Sequence, residues 1–135
     1  MAAKKILVVD DEVGFTRLVK LNLDATGKFQ VQTENRGSQT LNAARAFRPD
    51  LILLDIVMPD MDGSEVAKQL KSDPVTGNIP ILFLTALVKG REVASTAGAI
   101  GGHLFLAKPV TTDELVQNIE HMLAGSSHKS EQKRS

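Results

Sequence analysis

No cysteine occurs in the 135 residues, so the chain has no disulfide framework, no thiolate nucleophile and no zinc–thiolate site. It also lacks net charge: 16 basic and 16 acidic side chains cancel, leaving no global field to recruit nucleic acid or an anionic membrane. No apolar run approaches membrane-spanning length, and Ile6 to Val9 is too short for the core of a signal peptide. His103, His121 and His128 have no carboxylate companions at ligand spacing and read as structural or solvated. These absences make a cytoplasmic setting the simplest expectation, with no direct nucleic-acid partner and no membrane. What remains is ordinary for a globular domain, 42% hydrophobic and 24% charged, and long enough for one proper core.

The organising stretch runs from Asp50 to Gly63. Leu51 to Leu54 is a short apolar run that reads as a strand buried on both faces. It stops at Asp55, and Met58-Pro59 bars a simple continuation. Strands of the same kind are expected at Ile6–Val9, Pro80–Leu84 and His103–Leu106, and Phe29–Thr33 alternates as a half-buried edge strand would. Helices are expected between them. The first runs from Val13 to Ala25, with Phe15, Leu18, Leu21 and Ala25 inward. The second opens at Gly37-Ser38, with Leu41, Ala44 and Phe47 inward. The third starts near Gly63, with Asp62 and Glu65 as a variant capping box and Val66, Ala67 and Leu70 inward. A weak helix is expected over Val88–Ala97, ahead of a glycine-rich stretch. Thr111 and Glu114 form a capping box for the last helix, whose inner face is Leu115, Ile119 and Met122. Gly125 to Ser135 has nothing to bury and is expected to be a disordered polar tail on a domain of residues 1–124.

Five alternations of strand and helix imply an α/β fold: a doubly wound, flavodoxin-like (βα)5 parallel sheet of order 2-1-3-4-5. In that order the ends of strands one, three, four and five bring Asp10-Asp11, Asp55, Thr85 and Lys108 to one edge. Three carboxylates beside one cation leave a formal deficit of about two charges. Two unit charges ~5 Å apart repel by about 3 kcal/mol at an effective dielectric near 20, so such a cluster protonates or binds a cation. With hard oxygens and neither His nor Cys, Mg²⁺ or Mn²⁺ is favoured over zinc. A metal beside a carboxylate, a lysine and a hydroxyl suits a transferring phosphoryl group.

Over about residues 4 to 124 the sequence resembles the receiver domain of bacterial two-component response regulators, the stand-alone chemotaxis regulators in particular. The acid pair after strand one, Asp-x-x-Met-Pro-x-Met-x-Gly from Asp55 to Gly63, Thr85-Ala86 and Lys108-Pro109 match in order and spacing. The resemblance implies that Asp55 is the phosphoacceptor, served by the phosphohistidine of a sensor kinase or phosphotransfer protein. It implies that Asp11, Asp55 and the Val57 backbone carbonyl bind Mg²⁺ directly and Asp10 through a water. Lys108 and Thr85 would contact the phosphoryl oxygens, Phe105 would be the switch aromatic, and Lys108-Pro109 a cis peptide. Output to an effector protein would use the face of the 88–97 helix, the fifth strand and the last helix. The chain would catalyse only its own phosphorylation and dephosphorylation. It is expected to be either complete or a receiver excised from a longer regulator or hybrid kinase.

Some residues depart from the family pattern. Phe105 lacks the hydroxyl of the commoner tyrosine. Val57 and Leu87 are both apolar where the family tunes phosphoryl lifetime, so a long-lived phosphoaspartate is expected. Rival readings fare worse. An aspartyl-phosphate phosphatase wants a second Asp where Val57 stands. A nucleotide-binding module wants a glycine-rich loop where Asp10-Asp11-Glu12 would repel phosphate. A DNA-binding regulator needs an output domain, and only a short tail follows residue 124.

Overall fold

The computed structural model describes residues 3–85, 104–108 and 110–134, with the backbone alone for 104, 105 and 125–134. Its strands are β1 (Lys4–Val9), β2 (Phe29–Glu34), β3 (Leu51–Asp55), β4 (Ile81–Thr85) and β5 (Leu104–Ala107). They form one parallel sheet in the order β2-β1-β3-β4-β5, as the strand pattern implies. Every residue of β3 and β4 is buried, whereas β2 begins by alternating buried and exposed, the mark of an edge. Two neighbouring β3 side chains, Leu53 and Leu54, point to opposite faces and belong to different core clusters. Each such buried side chain contributes roughly 1.5–3 kcal/mol, against about 0.5–2 kcal/mol for a helix cap.

The described helices are α1 (Val13–Ala25), α2 (Thr40–Phe47), α3 (Gly63–Ser72) and α4 (Thr112–Arg134), with a 3₁₀ turn at Gly37–Gln39. Val19 and Leu23 of α1 and Leu115 and Ile119 of α4 pack on one face of the sheet. Ala44 of α2 and Val66, Ala67 and Leu70 of α3 cover the other. The register sets Val9 beside Leu54 and Thr85 beside Ala107, so Asp10, Asp55 and Lys108 emerge at the same edge. Gly63 closes the turn after β3. A Cβ there would lie 2.4 Å from the Asp55 carbonyl oxygen, so only glycine lets the helix start this near the strand.

Several local expectations are corrected. On α1 the buried residues are Thr16, Val19 and Leu23, while Leu18 and Leu21 are 55% and 65% exposed. The chain has apolar residues all along this helix, and spacing alone misassigned which stripe meets the sheet. Asp62 caps α3 with backbone only; its carboxylate takes the Ser64 hydroxyl at 2.9 Å instead of closing a box with Glu65. The Thr111–Glu114 box does form, with reciprocal bonds of 2.8 and 3.1 Å. The α4 backbone runs from Thr112 to Arg134. The expected 88–97 helix lies outside the described residues.

Candidate functional site

At the carboxyl edge of the sheet, β1 ends at Val9 and delivers Asp10, which is fully buried. Asp55 closes β3 and is also buried, and Asp11 stands beside them exposed to solvent. Carboxylate oxygens of Asp10, Asp11 and Asp55 all lie within 4.8 Å of one another. Opposite them Lys108, directly after β5, sends its ammonium to Asp10 Oδ2 at 2.5 Å, with Glu12 Oε1 at 3.5 Å and Asp55 Oδ2 at 3.9 Å. The lysine backbone is fixed as well, its N–H donating to the Thr85 carbonyl at 2.9 Å. Thr85 ends β4 and is buried. Val57 is exposed, and its N–H makes a long 3.5 Å contact with Asp55 Oδ1.

The cluster carries more negative charge than its lysine neutralises, and the acids respond. Burial, then the charge of Asp10, pushes the Asp55 carboxyl from 3.8 up to about 6, against the opposing pull of Lys108. Burial also raises Asp10, although the bonds from Lys108 and the Glu12 N–H hold part of that back. For Lys108 burial favours the neutral amine, but the bond to Asp10 and the charges of Asp10, Asp55 and Glu12 outweigh it and hold the pKa above the usual lysine value. The whole donor set is hard oxygen, two of its members are buried, and the local charge is negative. That set fits a hard divalent cation of the Mg²⁺ type.

The structure thus brings Asp10, Asp11, Asp55 and Lys108 together, with Thr85 at the end of β4 and Val57 in the loop two residues beyond β3. The Phe105 backbone lies in β5 in register with Phe83, but its side chain, Pro109 with the expected cis peptide, and Leu87 lie outside the described residues. Sequence reasoning missed two neighbours of the lysine. The Phe15 ring, taken only as core, lies under the Lys108 ammonium, 4.4 Å from ring centroid to nitrogen. Glu12 is the second. Both follow Asp11 within about one helical turn, and that proximity was the available signal.

Fold and acidic edge together are those of a receiver-type domain. The family model for the response regulator receiver domain matches residues 6–120, and the chain belongs to that family of two-component signalling receivers. It is 38% identical over 124 residues to the alkaline phosphatase synthesis transcriptional regulatory protein PhoP of Bacillus subtilis, covering 91% of this chain and 50% of that protein. It is 34% identical over 121 residues to the polar-differentiation response regulator DivK of Brucella anthropi, covering 89% of this chain and 96% of that one. The chain therefore spans about half the length of some relatives and nearly all of another. Among solved structures, Vibrio cholerae chemotaxis protein CheY4 superposes with a TM-score of 0.77 at 29% identity, covering 89% of this chain and 98% of its own.

Proposed function

We propose that the chain is a phosphorylation-activated switch in a two-component phosphorelay, with Asp55 as phosphoacceptor. The supporting observation is the meeting of three carboxylates within 4.8 Å with a lysine 3.9 Å from Asp55. Asp11, Asp55 and the Val57 carbonyl would hold Mg²⁺, or Mn²⁺, with Asp10 acting through a water. Bound there, the cation supplies charge neutralisation for the phosphoryl oxygens.

The chain's own groups do the rest. An Asp55 oxygen attacks the phosphorus of a phosphohistidine on a sensor kinase or phosphotransfer protein. The new P–O bond forms as the P–N bond breaks, and the imidazole nitrogen keeps the electron pair. With its pKa at about 6, Asp55 is mainly ionised at neutral pH and ready to attack. Lys108 turns from Asp10 toward the phosphoryl oxygens, and Thr85 gives them its hydroxyl. Phe105 responds on β5, and an effector protein reads the face that includes β5 and α4. Catalysis extends no further than the chain's own phosphorylation and dephosphorylation, in the cytoplasm. Exposed, apolar Val57 cannot orient an attacking water, which supports a long-lived phosphoaspartate.

The half-length match to PhoP favours a second version, in which this receiver is part of a longer regulator or hybrid kinase. The length of the native gene separates the two. The central test is intact mass after acetyl phosphate with Mg²⁺. Wild type should gain one phosphoryl group, ~80 Da, and Asp55→Asn none; a gain in both would remove Asp55 as acceptor.

A further inference from the structure

Asp10 opens the turn after β1, Asp55 ends β3 just ahead of the turn that carries Asp60, and both turns are tied to a third segment, 35–38, that places no carboxylate in the cluster. The first tie is Asn35, whose Nδ2 donates to the Asp10 carbonyl at 2.7 Å and to Thr16 Oγ1 at 2.9 Å. The Asp10 N–H, in turn, donates to the Glu34 carbonyl at 3.1 Å. The second tie is Asp60, on the turn that follows Asp55. Its two carboxylate oxygens accept the N–H groups of Gly37 and Ser38 at 3.1 and 3.0 Å. Segment 35–38 also packs directly on the Asp60 turn: a Cβ on Gly37 would lie 3.0 Å from Met61 Cβ and 3.1 Å from the Met61 carbonyl oxygen.

We propose that Asn35 and Asp60 are positioning residues that clamp the two acid-bearing turns through segment 35–38, and so set the spacing of the carboxylates that receive the divalent cation. This rests on reading the cluster as a cation site for phosphoryl transfer.

The competing account is that Asp60 only caps a short turn. A cap is ordinarily supplied by the residue opening the turn. Here that residue, Arg36, gives no side-chain cap bond, and the donors are satisfied by a carboxylate 22 to 23 positions further along the chain. The Ser38 N–H is the main cause holding the Asp60 carboxyl below the ordinary range, so the tie is made with the ionised form. The Asn35 amide likewise spans 25 positions to reach the backbone of a cluster residue. Neither side chain adds apolar area to the core, so what they supply is relative placement.

The test uses the full chain as wild type, Asn35→Ala, Asp60→Ala, Asp60→Asn and the double alanine variant. Leu123→Ala, a partly buried core position on α4, serves as a control for general loosening. Mg²⁺ affinity is measured by calorimetry, and amide exchange is followed at Gly63, whose N–H donates to the Ile56 carbonyl. Each single alanine variant should weaken Mg²⁺ by about tenfold, the scale of losing an outer partner of a metal site. Asp60→Asn should recover part of the loss, and the double variant should fall short of the product of the singles. Asn35→Ala should also speed Gly63 exchange on the far side of the clamp. Unchanged Mg²⁺ affinity in both single variants overturns the proposal, as does an equal loss in Leu123→Ala. If wild type binds no Mg²⁺, the cation reading has failed by itself. Exchange at Gly63 then decides the clamp: faster in Asn35→Ala supports it, and unchanged overturns it.

Discussion

Asp55 and Asp73 are buried almost equally, at 5% and 7% exposure, yet their carboxyls move in opposite directions. Asp73 joins the end of α3 to α2: its Oδ2 accepts the Arg45 guanidinium, Nε at 2.8 Å, and its Oδ1 accepts the Val75 N–H at 2.8 Å. The Arg45 bond is the chief cause that holds it below the ordinary carboxylate range. For Asp55 burial is the largest cause raising the carboxyl, the like charge of Asp10 adds to it, and the nearby cation is already bonded to Asp10. Burial alone does not distinguish a working acid from a structural one. An incomplete set of partners does, because the missing charge is what a ligand can supply.

The largest expected effect comes from removing each charge in turn. Asp55→Asn should abolish phosphorylation and stabilise the metal-free protein at pH 7 by about 1–3 kcal/mol, since a pKa shift of about two units is worth at most roughly that. Asp73→Asn should lower stability and leave phosphorylation by acetyl phosphate intact. Urea titrations of both variants check this, and an Asp55→Asn protein less stable than wild type would break the comparison.

The pH windows sharpen it. The folded pKa of Asp55, about 6, lies above its ordinary 3.8, so its contribution is most favourable at low pH and is lost as pH rises through about 6. The Asp73 carboxyl is depressed, so its contribution is present above 3.8 and lost as pH falls through its folded value. Stability differences between wild type and each Asn variant, followed against pH, should therefore slope in opposite directions. Saturating Mg²⁺ should flatten the Asp55 curve alone, because the cation competes with the proton at that site.

The smallest effect concerns Phe15. Phe15→Leu keeps apolar volume but removes the ring face beneath Lys108. Phosphorylation by acetyl phosphate should slow by about two- to fivefold, the rate equivalent of about 0.5–1 kcal/mol for a cation–π pair. An unchanged rate would mean that the bond to Asp10 suffices to hold the lysine.

The strands and the acid edge were legible because their signals are local: Leu51–Leu54 is a contiguous apolar run, and Asp55 terminates it. The Thr111–Glu114 box was legible for the same reason, its two partners standing three residues apart. Contacts between distant segments left no such mark. Arg45 and Asp73 are 28 positions apart, and Asn35 and Asp10 are 25. The inward stripe of α1 was misassigned because Leu18 and Leu21 look like core in any window, and only the sheet's position shows that Thr16 takes their place. Asp62 was misread because Ser64, two residues on, claims its carboxylate.

Gly63 constrains how this protein can diverge. Its N–H meets the Ile56 carbonyl at 2.6 Å, and a Cβ would meet the Asp55 carbonyl at 2.4 Å, so strand and helix are stitched back to back across the turn. A residue added or deleted between Asp55 and Gly63 that brought a side chain to this close approach would set its Cβ against the Asp55 carbonyl and push the start of α3, and with it Val66, away from the sheet. The stretch can drift in spelling while its length stays fixed, and a designer grafting new loops onto this edge should look elsewhere.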